Sequence, residues 1–109
     1  MFQLRYQSHH LTRTQSALPD LGELPEFAQE AFNFCKDWLD GKDRFVQATS
    51  GSTGTPKLQE ITRQQLVASA TATGAFFGVN SEFKLLCCLN PAYIAGKMML
   101  VRAMIWDCE

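Results

Sequence analysis

The sequence predicts an α/β fold, with elements in the order helix, strand–loop–strand, helix, strand, helix. Three observations carry this. Apolar residues recur at helical spacing after Pro25. Two short strand-like runs flank a loop rich in Gly, Ser and Thr at Thr49–Lys57. A continuous apolar run, Leu85–Leu89, precedes a final apolar helix. At 109 residues the chain is the size of one small domain with a modest core.

Residues 1–24 read as irregular, with Pro19-Asp20 and Leu24-Pro25 as turn signals and a weak strand near Phe2–Tyr6. A helix follows over about 25–40. Pro25 at its first position and Glu26 in its first turn suit a helix start, and Gly41 suits its end. Phe27, Ala31, Phe34, Cys35 and Trp38 form its apolar stripe, read as core.

Arg44–Thr49 reads as a strand and Leu58–Ile61 as a second. Thr62 to Gln65 fits a capping box that opens the next helix. Leu66, Ala70, Gly74 and Phe77 supply its buried face, and Gly78 its stop. Leu85–Leu89 reads as a buried strand ended by Asn90-Pro91, with Cys87 and Cys88 in the core. Ala95–Met104 reads as a buried helix. So apolar a helix needs cover on several faces, which favours a longer protein, with an oligomer as the alternative. Alone, residues 1–109 are expected to fold poorly.

Composition excludes some classes of partner. Ten basic and eleven acidic residues give a net charge of −1, with no basic stripe for nucleic acid. The four cysteines form no C-x-x-C pair, and His9 and His10 lie far from them, which is poor metal-ligand spacing. Free thiols in a reducing compartment are the expectation. The start lacks an apolar leader, and Lys97 and Arg102 interrupt the most apolar stretch. A cytoplasmic protein without a membrane span is expected.

The Thr49–Lys57 loop is longer than a hairpin needs, and long loops on rigid scaffolds often carry function. Gly51 and Gly54 allow backbone N–H groups to approach an anion and form a nest around phosphate. Thr49, Ser50, Ser52, Thr53 and Thr55 add hydroxyl donors, and Lys57 adds a point charge. It is not a Walker A loop, because the Gly–Lys spacing differs and Leu58 stands where Ser or Thr is needed. On composition, phosphate binding and a plain Ser/Gly loop both remain open.

The nine residues Thr49-Ser50-Gly51-Ser52-Thr53-Gly54-Thr55-Pro56-Lys57 resemble the phosphate loop of the adenylate-forming superfamily. That superfamily holds acyl-CoA synthetases, luciferases and peptide-synthetase adenylation domains. Leu89-Asn90-Pro91-Ala92-Tyr93-Ile94-Ala95-Gly96 resembles the family's next motif, and Tyr93–Lys97 looks most like o-succinylbenzoate–CoA ligases of menaquinone synthesis. Leu58 and Gln59 replace the usual Gly and Val after the loop, and Tyr93 replaces a common His.

The resemblance implies that residues 1–109 are an incomplete N-terminal AMP-binding domain. Residues 1–43 would be a lead plus helix, and 44–109 the phosphate loop and acyl-pocket region. It implies ATP, Mg²⁺, coenzyme A and a small carboxylic acid as ligands. Ser50, Gly51, Ser52, Thr53 and Gly54 would cradle the β- and γ-phosphates, Thr49 would orient the loop, and Lys57 would hold pyrophosphate as the catalytic lysine. Tyr93 would sit at the acyl pocket, with Gly96 allowing close approach. For Tyr93 a core aromatic is the equal alternative. Lys97 and Arg102 read as a solvated helix face, His9 and His10 as a surface pair, and Glu60 as solvent-facing. In the family the adenine motifs, the magnesium-binding Glu and a further catalytic Lys lie later than Glu109. Two other readings stand beside the enzyme: a nucleotide-binding module without chemistry, and an interaction protein docking through its last helix.

Overall fold

The computed structural model describes residues 1–15, 17–48 and 57–109. Its elements are β1 (Gln3–Tyr6), β2 (His9–Thr12), α1 (Glu26–Leu39), β3 (Arg44–Ala48), β4 (Leu58–Thr62), α2 (Arg63–Phe77) and α3 (Ile94–Ile105). The mixture of helix and strand agrees with the sequence reading and is compatible with part of the adenylate-forming fold. The strands form two antiparallel pairs, β1 with β2 and β3 with β4.

The weak strand near Phe2–Tyr6 is β1, and its pairing with β2 corrects the expectation that the rest of the lead is irregular. Tyr6 pairs with His9, so Gln7 and Ser8 make a two-residue turn. Gln7 has φ 53°, the left-handed conformation that such turns need and that Gly or Asn usually supplies. The hairpin places Phe2 and Leu11 in the core.

Helix α1 begins after Pro25, which serves as N-cap, and ends at Asp40, with Gly41 just beyond. Its buried face is Ala28, Phe32, Phe34, Cys35 and Trp38. Phe27 is exposed and stacks edge-on against Tyr6, its ring 5.6 Å away, so the expected stripe is shifted around the helix. The displaced face meets Phe45 of β3, which lies 4.9 Å from Phe34 and 5.7 Å from Trp38 between ring centroids.

Helix α2 opens on the capping box as read. The Thr62 hydroxyl accepts the Gln65 N–H at 3.2 Å, and Gln65 Oε1 accepts the Thr62 N–H at 3.0 Å. Gly78 closes the helix in the left-handed conformation. Leu66, Ala70 and Gly74 are buried and pack on α3, whereas Phe77 is exposed.

Leu85–Leu89 is not a buried strand. Leu86, Cys87, Cys88 and Leu89 are exposed, and these residues form no strand. A strand needs a neighbour to take its N–H and C=O groups. The backbone bond found here runs from the Leu85 N–H to the Glu109 carbonyl, at 2.8 Å. Helix α3, by contrast, is buried along most of its length, through Gly96, Lys97, Met98, Leu100, Val101, Ala103 and Met104.

Candidate functional site

The β3–β4 hairpin is the scaffold of the Gly/Ser/Thr loop. Its register pairs Arg44 with Thr62 and continues to Ala48 with Leu58, which fixes both ends of the intervening segment. The base is tied down from α2. The Arg63 guanidinium lies 4.0 Å from the Trp38 ring centroid. It donates to the Lys42 carbonyl at 3.0 Å and to the Trp38 carbonyl. On the outer face Arg44 pairs with Glu60 at 2.5 Å, which agrees with the solvent-facing reading of Glu60.

Thr49, Ser50, Gly51, Ser52, Thr53, Gly54, Thr55 and Pro56 lie outside the described residues. Lys57 is described, and it is exposed at the entry to β4.

The second motif forms a tightly held turn. Asn90 Oδ1 accepts the Ala92 N–H at 2.9 Å. The Asn90 carbonyl accepts the Tyr93 N–H at 3.1 Å. Tyr93 is the N-cap of α3 and is half-buried; its own carbonyl accepts the Lys97 N–H at 3.1 Å. Gly96 is buried against this turn. A Cβ there would overlap the Asn90 carbonyl and the Pro91 nitrogen, so only glycine fits. The close approach that Gly96 permits is therefore made by the chain itself.

Lys97 departs most from expectation. The sequence places it on a solvated face, yet it is 7% exposed. Its Nζ donates to the Pro91 carbonyl at 2.6 Å and lies 5.8 Å from the Phe34 ring centroid. Burial lowers its pKa below the usual lysine value, and the charge of Glu30 acts in the opposite direction. The missed signal is positional. Lys97 is the only charged residue between Ile94 and Val101, so it falls on a helix that is apolar on nearly all sides. Arg102 is half-buried, and its Nε has no hydrogen-bond partner among the described residues.

A cavity of about 450 Å³ joins the two motifs. Val46 and Leu58 from the hairpin, Phe34 from α1, and Pro91, Ala92 and Lys97 from the second motif line it. Tyr93 is not among its lining residues. The structure thus brings the base of the Thr49–Lys57 loop and the start of α3 to one space, though they are 30 or more residues apart in sequence.

Cys87 and Cys88, read as core, are exposed; Cys35 and Cys108 are buried, and all four are free thiols. Among the described residues no group of three or more His, Cys, Asp or Glu side chains could hold a metal ion. Nor is any described helix long and apolar enough to cross a membrane.

No protein-family model matches the chain, and no curated protein matches it. Among solved structures it is similar to an acyl-CoA synthetase (AMP-forming)/AMP-acid ligase II-like protein from Dyadobacter fermentans DSM 18053. The two share 45% identity with a TM-score of 0.77, over 84% of this chain and 26% of that one. The chain therefore spans about a quarter of that protein's length. Likeness in both sequence and fold supports the resemblance to the adenylate-forming superfamily.

Proposed function

We propose that this chain carries the phosphate-loop region of an AMP-forming acid–thiol ligase. The observation that carries the reading is the 45% identity to the AMP-forming synthetase-like protein, spread over 84% of the chain. The nine-residue loop on a fixed hairpin base and the adjoining second motif support it.

In this reading a carboxylic acid is activated with ATP and passed to coenzyme A. ATP with Mg²⁺ supplies the electrophilic α-phosphate and a pyrophosphate leaving group. The chain's contribution is positioning and charge neutralisation, which dominate such reactions. Backbone N–H groups of Gly51 and Gly54 and the hydroxyls of Ser50, Ser52 and Thr53 hold the β- and γ-phosphates. Thr49 orients the start of the loop. Lys57 neutralises the departing pyrophosphate. Tyr93 presents its ring at the acid pocket, with Gly96 allowing the α3 backbone to close on the turn behind it. The Mg²⁺ ligand and the adenine contacts belong to other parts of the protein. The Tyr93–Lys97 wording favours o-succinylbenzoate as the acid, in a cytoplasmic enzyme of menaquinone synthesis.

The test is ATP–pyrophosphate exchange by the native protein across candidate acids, o-succinylbenzoate first. Lys57→Ala and Thr53→Ala are expected to lower exchange by about 10²-fold, the usual effect of losing one donor to developing charge. Melting of Lys57→Ala should stay within about 2 °C, because Lys57 is exposed. Full exchange activity in both variants rejects the reading. Saturable ATP binding without AMP release would instead assign a binding module.

A further inference from the structure

Lys97 is the one buried charged side chain among the described residues. A buried cation is costly unless well paired, and packing alone would be served better by an apolar residue. Yet no carboxylate lies within ion-pair reach of Lys97 among the described residues. Glu30, Asp37 and Lys42 line the same cavity, and Asp37 and Lys42 pair with each other at 3.5 Å. The hydrogen bond that Lys97 makes is to the carbonyl of Pro91, at 2.6 Å. That carbonyl belongs to the turn that ends in Tyr93. Asn90 holds the turn through the Ala92 and Tyr93 N–H groups, Gly96 abuts its backbone, and Lys97 holds the carbonyl of Pro91 at its centre.

We propose that Lys97 is a positioning residue, which fixes the Asn90–Tyr93 turn through the Pro91 carbonyl and so sets how Tyr93 is presented to the acid substrate. This rests on the acid-pocket role given to Tyr93 above. Lys97→Met keeps an unbranched apolar stem in this buried place and removes the charge, with its bond to Pro91 and its approach to the Phe34 ring.

The experiment uses the native protein with Lys97→Met, Tyr93→Ala and the double variant. Lys97→Met is expected to raise KM for the acid about tenfold, with kcat and KM for ATP within about twofold, the pattern of lost binding at one substrate only. The double variant should be no worse than Tyr93→Ala, because the lysine acts through the tyrosine. A second readout needs no activity. The ring signal of Tyr93 in isotope-labelled protein, identified by its loss in Tyr93→Phe, should shift in Lys97→Met while that of Tyr6 stays. Melting should be unchanged or higher.

Additive losses, or an equal rise in both KM values, would overturn the proposal; so would an unmoved Tyr93 signal. If the native protein activates no acid, the ligase reading fails, and the ring signal alone decides the link from Lys97 to Tyr93. Should Lys97→Met not fold, Lys97→Gln is read by the same ring signal, with the same two outcomes.

Discussion

Asp107 shows how one side chain ties together distant parts of the chain. Its Oδ1 accepts the Phe2 N–H at 2.7 Å and Arg13 Nε at 3.1 Å, joining the end of α3 to the β1–β2 hairpin. Those two bonds favour the charged carboxylate and hold its pKa below the usual range. The unfolded chain thus binds more protons over the interval between the two pKa values. The stabilisation is present above the unfolded value and is lost as pH falls through the folded one. Asp107 is 44% exposed, so the contribution is screened and should stay under about 1 kcal/mol. Asp107→Asn tolerates the left-handed φ of 59° found here and removes the charge. Urea melts should show the variant slightly weaker at pH 7 and indistinguishable from the parent near pH 2. A constant gap across pH would contradict the assignment. Nothing in the sequence marks Asp107, because its partners lie 94 and 105 positions away. Lys97 is a different case: its charge reads as solvent exposure, although the apolar residues on every side of it in Ile94–Val101 already mark a buried place in the sequence.

The elements that were legible are those with local punctuation. Pro25, Gly41, the Thr62–Gln65 box and Gly78 set the ends of α1 and α2 within a residue or two, because caps act on their own backbone. The β1–β2 hairpin was missed because its turn residue, Gln7, is not one that favours the conformation it adopts. The faces of the helices were partly missed, since tertiary partners choose them: Phe45 sets the buried side of α1, and α3 that of α2. Gly74 makes the second contact testable. The Trp106 indole lies over it and donates Nε1–H to the Ala70 carbonyl at 3.0 Å. A Cβ at position 74 would overlap that ring. Gly74→Ala raises helix propensity by about 1 kcal/mol. Overpacking nevertheless costs about 1–3 kcal/mol, so the net expectation is destabilisation. Denaturant melts followed by tryptophan fluorescence check both the loss and the displaced indole. A stabilised variant with unchanged emission would mean that α2 and α3 do not meet there.

For the whole molecule the question is what the apolar surface faces. Phe76 and Phe77 are 82% and 68% exposed, and Leu86 is 86% exposed. The sequence makes Leu85–Leu89 a buried strand, yet the described residues offer it no strand to pair with and little cover. A run of residues suited to burial reveals its preference but not its partner, and that is why its place was illegible. The cysteines within it report the outcome directly. Cys87 and Cys88 are exposed, whereas burial keeps the Cys35 thiol protonated far above its ordinary range and raises that of Cys108 as well. In the 109-residue chain, two thiols should therefore react with a thiol reagent at the rate of an open cysteine. The other two should wait for unfolding, and mass mapping should place the fast pair at Cys87 and Cys88. Four slow thiols in a monomer would show the run folded inward as the sequence reads. Slow labelling that speeds up on dilution would show copies of the chain covering one another, because association protects only in proportion to concentration.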